Sequence, residues 1–459
     1  MSTLEGNRFF FIGIGGIGMS GLARYFRRRG ALVAGYDKTP SELTSQLQAE
    51  GIAVQFEERA ELMPDAFRNA TPAEVLVVRT PAVPAGSPLL KHWQARGAPI
   101  LKRAEVLGLV TRDKPTVAVA GTHGKTTVTT MLAHLLTVGR VPCNAFLGGI
   151  SANYGSNLLL HDDAAINVVE ADEYDRSFLQ LSPALSIITA MDPDHLDIYG
   201  TPEAMYQAYA RFAEQVRGPL IVHERIARHF AGHPQVATYA IGGAGEPRAE
   251  HITVADGRYR FDLVAEGRYL RGLALGMPGR HNVENAIAAS TAALRLGVAP
   301  EDLSAGLASF RGVARRFETR IGHPRIAFID DYAHHPKELE ACIASVRELY
   351  PGRSVLGIFQ PHLFTRTRDL AAGFAASLAA LDELILLPIY PAREEPLPGI
   401  TSQWLLEQVP MDKKSCMDRH ELLQALASRK VDVVLTLGAG DIDRLVPSIE
   451  RLLNERLLP

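Results

Sequence analysis

The sequence predicts an α/β protein of three domains, and two observations predict it. Apolar runs of about four to seven residues alternate with amphipathic stretches of about ten to fifteen along the chain, the pattern of parallel strands joined by helical crossovers. The chain is also 459 residues long, beyond the roughly 250 to 300 that one hydrophobic core serves. The expected division is 1–105, 106–311 and 312–459, with a Rossmann-like first domain, a central P-loop-type parallel sheet and a Rossmann-like third domain.

In the first domain, strands are expected at Arg8 to Ile12, Leu32 to Tyr36 and Val75 to Val78, with a helix beginning near Met19. In the second they are expected at Thr116 to Ala120, Ile166 to Val169 and Leu185 to Thr189. Pro234 to Gly272 is turn-rich and reads as an antiparallel excursion of shorter strands outside the parallel sheet. A helix is expected over His281 to Leu296. Strands at Ile326 to Ile329, Val355 to Phe359, Leu384 to Leu387 and Val433 to Leu437 make the third domain.

With 47% hydrophobic and 22% charged residues and a formal charge of -3, the composition is that of an ordinary soluble globular protein. It points to no nucleic-acid or membrane partner. Cys143, Cys342 and Cys416 form no CxxC pair and no even-numbered framework, which fits a reducing, cytoplasmic compartment. Phe9 to Met19 follows Arg8 like the core of a signal peptide. Glycines interrupt that run and it feeds into an arginine-rich stretch, so it reads as a buried strand and turn. No apolar run approaches the roughly 20 residues that span a bilayer.

Four motifs follow strands. Gly13-Ile14-Gly15-Gly16-Ile17-Gly18 is a GxGxxG at a strand-turn-helix junction, where bare amides hold a diphosphate. Asp37 lies about 20 residues on, where a carboxylate meets a ribose. Taken alone this suggests a dehydrogenase, although the loop suits any nucleotide diphosphate, and a packing turn is the plain alternative. Gly121-Thr122-His123-Gly124-Lys125-Thr126-Thr127 follows Thr116 to Ala120. Its amides wrap a phosphate, Lys125 neutralises β- and γ-phosphate charge and Thr126 offers a hydroxyl to Mg2+. It departs from the strict P-loop, since Val119 stands where the first glycine belongs.

Glu170-Ala171-Asp172-Glu173 and Asp192-Pro193-Asp194-His195-Leu196-Asp197 leave two further strands. Hard oxygen ligands at such strand ends suit Mg2+, which favours metal roles for Glu170 and His195 over solvated loops. In the third domain, Asp330-Asp331-Tyr332-Ala333-His334-His335-Pro336 follows one strand. Phe359-Gln360-Pro361-His362 and Thr365-Arg366-Thr367-Arg368 follow the next. They read either as a lid bringing charge to a shared site or as a capped helix start with surface arginines.

As a set, GIGGIGMSGLA, GTHGKTT, EADE, DPDHLDIYG, HNVEN, GVARRFE, DYAHHPKE, FQPH and GAGDI occur in an order that resembles the Mur ligases over essentially the whole chain. The resemblance implies a domain binding a UDP-linked substrate, a central ATPase domain and a C-terminal domain that closes over ATP and receives an amino acid. It places the UDP substrate on Gly15, Gly16, Ile17 and Gly18 with Asp37 and Thr80. It places ATP on Gly121 to Thr127, with Asn282 and Asn285 on the adenine side and Arg316 and Asp331 reaching the nucleotide from the C-terminal domain. Thr126, Glu170 and His195 are implied for Mg2+.

Tyr332, His334 and Arg366 are implied near the incoming amine and the acyl group, with Lys125, His123, His334 and Arg366 as the catalytic set. Leu363 departs from the pattern, standing where many members carry arginine, so the substrate carboxylate would rest on Arg366 alone. The implied reaction joins L-alanine to the lactyl carboxylate of UDP-N-acetylmuramate through an acyl phosphate, with ATP and Mg2+, in a monomer or weak homodimer. A ligase attaching a ready-made tripeptide to the same nucleotide sugar is the related alternative. A dehydrogenase leaves the GKTT loop and both acidic clusters without a role, and a silent nucleotide-binding protein would carry them unused.

Overall fold

The computed structural model describes residues 8–194, 196–255, 257–392 and 394–457. His195 therefore lies outside the described residues. Three sheets carry the chain. Strands β1 (Arg8–Ile12), β2 (Leu32–Tyr36), β3 (Ala53–Gln55), β4 (Val75–Arg79) and β5 (Ile100–Lys102) form the first, in the order β3-β2-β1-β4-β5 with every pair parallel. The run Phe9 to Ile12 is apolar throughout because both faces of β1 are covered. Phe9 stacks on Phe26 of the helix Ile17–Arg28, and on the other face Phe10 meets Phe67 and Trp93.

The second sheet holds β6 (Thr116–Ala120), β7 (Cys143–Ser151), β8 (Ser156–Leu159), β9 (Ile166–Glu170), β10 (Leu185–Ile188), β11 (Leu220–His223), β12 (Val236–Ile241), β13 (Arg248–Ala255), β14 (Arg258–Ala265) and β15 (Arg268–Leu275). Its order is β15-β14-β13-β12-β11-β10-β6-β9-β7-β8. Strand β6 pairs in parallel with β9 on one side and β10 on the other, so the loops leaving all three open at one edge.

The expectation for Pro234 to Gly272 needs correction. Strand β12 continues the parallel sheet by pairing with β11, and β13 pairs in parallel with β12. Strands β13, β14 and β15 are also eight residues each, not short. Their alternating exposed and buried positions break the apolar runs that mark a strand buried on both faces. Between β14 and β15 the two-residue link Glu266-Gly267 has positive φ at both residues (54° and 66°), the geometry of a hairpin turn.

The third sheet is β16 (Glu318–Gly322), β17 (Ala327–Asp331), β18 (Val355–Phe359), β19 (Glu383–Leu386), β20 (Lys414–Cys416) and β21 (Val433–Leu437), in the order β16-β17-β21-β18-β19-β20. It is parallel except for the edge strand β16. Packing divides the chain into two compact units. One comprises Met1–Glu250, Leu263–Leu270 and Asn285–Leu307; the other comprises His251–Asp262, Arg271–Glu284 and Ala308–Pro459. Among the described residues no helix is long and apolar enough to cross a membrane.

Candidate functional site

In the first unit, β6 is buried at all five residues and ends directly in the glycine turn. Gly121 has φ 126°, and a Cβ there would lie 2.8 Å from the backbone nitrogens of both Thr189 and Ala190 at the end of β10. Gly124 (φ 80°) caps the helix Lys125–Val138 without any side-chain hydrogen bond, so the cap leaves the first helical amides to a ligand. A Cβ on Gly124 would come within 2.7 Å of Asn285 Oδ1, which brings Asn285 to the loop.

Hydrogen bonds to β10's trailing loop hold the turn open. Thr122 N donates to Ala190 O (3.0 Å) and Thr122 Oγ1 accepts from Asp192 N (3.0 Å). Thr189 Oγ1 donates to His123 O, and His123 Nε2 lies 3.4 Å from Asp192 Oδ2. Thr126 and Thr127 are buried at the helix start.

Lys125 Nζ donates to Gly121 O (2.7 Å) and to the Glu173 carboxylate (2.9 Å to Oε1). Burial works against the ammonium, yet the carboxylates of Glu173, Asp172 and Glu170 outweigh it and raise the lysine above its usual value. The lysine is a fixed cation. Glu173 itself is 1% exposed, and Tyr199 Oη anchors its backbone by donating to Glu173 O (2.6 Å). Glu170 ends β9 with its carboxylate against bare Gly148 of β7.

These groups fit a nucleotide triphosphate: an uncapped helix start, an obligatory glycine cradle and a buried cation. No cluster of three His, Cys, Asp or Glu residues suited to a metal occurs among the described residues. A magnesium ion that takes most of its oxygens from phosphates and water needs no such cluster. The Thr126 hydroxyl and the Glu170 carboxylate are of the hard-oxygen type it requires.

At the first sheet, Gly15 N donates to Asp37 Oδ2 (2.8 Å) and Thr39 N to Oδ1 (3.0 Å), so Asp37 braces the glycine turn itself. Gly16 caps the helix Ile17–Arg28 with no side-chain bond, leaving Ile17 and Gly18 in its open first turn. Thr80 closes over Gly13, where a Cβ would lie 2.6 Å from Thr80 Cγ2. Asn157 of β8 fastens this helix to the second sheet by donating to Ser20 Oγ (2.9 Å).

The second unit gathers a separate set. Asp331 accepts from Phe317 N (2.7 Å) and Ala333 N (2.6 Å). Burial raises its carboxyl to about 6, against the opposing effect of Arg316 and those two amides. Arg316 lies over the Tyr332 ring at 4.6 Å, and Tyr332 meets the His334 ring edge-on at 5.3 Å. The His334 and His362 rings are 5.9 Å apart, and Arg366 Nη1 lies 3.4 Å from His362 Nδ1. Leu363, 7% exposed with φ 69°, contributes no charge to this line of side chains. Asn282 Nδ2 donates to Pro278 O (2.6 Å) at the start of the helix Arg280–Arg295.

Beside Asn282, burial lowers His281 to about 4, so this imidazole stays neutral in the folded protein. Between pH 6.5 and 4 the unfolded chain binds a proton that the folded chain refuses, so the stabilising contribution is lost as pH falls. At pH 5 the loss is about 2 kcal/mol. Urea unfolding of wild type and His281→Gln at pH 7 and 5 should show the stability difference between them shrinking by that amount; a difference independent of pH would contradict a neutral buried His281.

Models of three Mur ligase domains match the chain in succession. The Mur ligase family catalytic domain covers residues 8–115, the middle domain 119–293 and the glutamate ligase domain 315–440. The chain belongs to the Mur ligase family. As a Mur ligase it is 48% identical to a UDP-N-acetylmuramate--L-alanine ligase of Parabacteroides distasonis, over 98% of this chain and 97% of that one. It is 49% identical to the corresponding ligase of Porphyromonas gingivalis, over 97% and 99%. The crystal structure of UDP-N-acetylmuramate-alanine ligase MurC from Thermotoga maritima superposes with a TM-score of 0.81 at 27% identity, covering 98% of this chain and 99% of that one. A murein peptide ligase from Psychrobacter arcticus shares the fold at TM-score 0.69 and 22% identity.

The Mur ligase sequence motifs did not reveal three of the residues around these loops. Glu173 was grouped with the acidic cluster and not paired with Lys125, because only the β6-β9 neighbourhood joins them. Arg103, which reaches Asp172, and Asn157 were not singled out at all. Their partners lie 69 and 137 residues away, beyond any local signal.

Proposed function

We propose that this Mur ligase joins L-alanine to the lactyl carboxylate of UDP-N-acetylmuramate with ATP, a step of peptidoglycan synthesis. The observation that carries the reading is the uncapped loop Gly121 to Thr127, with its Lys125 cation, opening between the ends of β9 and β10. Near half-identity over almost the full length to ligases named for this reaction supports the alanine product over the tripeptide one. The proposed domains are 1–105 for the UDP substrate, 106–311 for ATP and 312–459 for closure and the amino acid. A monomer or weak homodimer in the cytoplasm completes the reading.

The lactyl carboxylate attacks the γ-phosphorus of ATP, releasing ADP and forming an acyl phosphate. The neutral amine of L-alanine then attacks the acyl carbon, phosphate leaves, and the amine gives up a proton. Negative charge builds first on phosphoryl oxygens and then on a tetrahedral oxyanion, so cations matter more than a protein nucleophile. Lys125, the amides of Gly124 to Thr127 and, from the C-terminal domain, Arg316 meet that charge. Asn282 and Asn285 flank the nucleotide base, and Asp331 holds the backbone that presents Arg316 and Tyr332. Magnesium would be held by Thr126, Glu170 and, outside the described residues, His195, and would supply charge neutralisation to the phosphates.

His123 or His334 adds positive charge for the developing oxyanion, and Arg366 takes the alanine carboxylate without help from Leu363. Gly15 to Gly18, Asp37 and Thr80 hold the UDP moiety. The direct test is ADP release with UDP-N-acetylmuramate against a panel of amino acids and the tripeptide; release stimulated by tripeptide and not by L-alanine would overturn the reading. Removing the brace on the glycine turn with Asp37→Ala should raise KM for the nucleotide sugar about tenfold or more, the worth of a hydrogen bond to a charged group, with a much smaller change in kcat. Steady-state kinetics with saturating ATP and L-alanine would check it.

A further inference from the structure

Between the glycine turn of the first sheet and the acidic loop after β9 stands Arg103, which opens the helix Arg103–Thr111. Its side chain lies over Gly18, where an added Cβ would sit 2.9 Å from both Cδ and Nη1 of the arginine. Its other end reaches Asp172 Oδ2 at 3.3 Å. The adjacent Lys102 is paired with Asp175 at 2.8 Å, so the same junction carries a second cation on the same loop.

We propose that Arg103 binds the diphosphate of the nucleotide sugar, is held in place by Asp172 until that diphosphate arrives, and thereby couples the two nucleotide sites. The proposal rests on the assignment of the UDP diphosphate to Gly15 to Gly18. At 3.3 Å the contact with Asp172 is long for a charge-assisted bond, which is typically about 2.7–2.9 Å, so the guanidinium retains capacity for a stronger anion. It also stands beside the first turn of the helix Ile17–Arg28, where a cation is unfavourable until an anion joins it. A phosphate offers the guanidinium two oxygens in one plane.

The coupling follows from where Asp172 stands. It lies between Glu170 and Glu173, and its carboxylate acts on Lys125 together with theirs. A magnesium nucleotide at this loop would compete for the Asp172 charge and so loosen its hold on Arg103. The freed guanidinium then favours the diphosphate, and by reciprocity the diphosphate favours the magnesium nucleotide.

Calorimetry with UDP and with UMP as probes, each with and without Mg-ADP, tests the proposal on the full chain. Arg103→Ala should weaken UDP about tenfold or more while changing UMP far less, and Arg103→Lys should recover part of the loss. Asp172→Asn should tighten UDP in the absence of Mg-ADP and abolish the gain that Mg-ADP gives wild type. Equal effects on UDP and UMP, or UDP binding by Arg103→Ala as tight as by wild type, would overturn it, as would Mg-ADP dependence intact in Asp172→Asn. Failure of wild type to bind UDP at all would instead remove the functional reading beneath it, a separate and recognisable result.

Discussion

Lys125→Ala is expected to lower turnover on the order of a thousandfold, with binding of the UDP-linked substrate nearly unchanged. The lysine donates both to the Gly121 carbonyl and to the acidic loop after β9, so it joins the two. Its loss also takes the lysine from Glu173, a carboxylate 1% exposed, and removing one member of a buried pair costs about 3–5 kcal/mol. The two effects are separable. The double variant Lys125→Met with Glu173→Gln should regain much of the stability while remaining inactive. Thermal unfolding and ADP release measured on both variants would show this; a stable Lys125→Ala protein that still consumes ATP at the wild-type rate would refute the loop assignment.

Gly121→Ala should have the second largest effect. A residue with a side chain at φ 126° is strained by about 1–3 kcal/mol before any contact is counted. Its Cβ would then meet the backbone nitrogens of Thr189 and Ala190 at 2.8 Å, and backbone cannot move aside as a flexible side chain can. The turn must shift away from β10, carrying Thr122 and His123 with it. Turnover is expected to fall about a hundredfold or more, since small misplacements of positioning groups cost that much. Gly155→Ala is the control: it also has positive φ (62°) but nothing within 4 Å, so it should cost only the backbone strain of about 1–2 kcal/mol and leave turnover intact.

The central strands were legible because burial on both faces makes them continuous apolar runs. Arg8 to Ile12, Thr116 to Ala120, Val355 to Phe359 and Val433 to Leu437 coincide with their observed bounds. The glycine turn at Gly121 to Gly124 and the helix start at Lys125 were legible for a related reason, since GKT directly after such a strand marks a strand-turn-helix junction. Strands β3, β5 and β20 are three residues each and left no periodicity to read. Strand β7 was missed because Gly148, Gly149 and Asn144 read as turn residues. At the site, Asp37 was expected at a ribose, and its two backbone amide partners belong to a turn geometry that spacing alone does not encode. Glu173 illustrates the general limit. Its neighbour in sequence, Glu170, was chosen for its place at the strand end, but which of two nearby carboxylates turns toward Lys125 is decided by the path of the chain after β9.

The Lys125–Glu173 pair bears on selectivity as well as turnover. With its ammonium already matched by the Glu173 carboxylate at 2.9 Å, the loop offers an incoming anion less net positive charge than a lone lysine would. An anion that also engages the amides at the helix start gains contacts that Glu173 does not supply. The internal pair thus tempers the field of the loop while leaving the amides at the helix start uncapped.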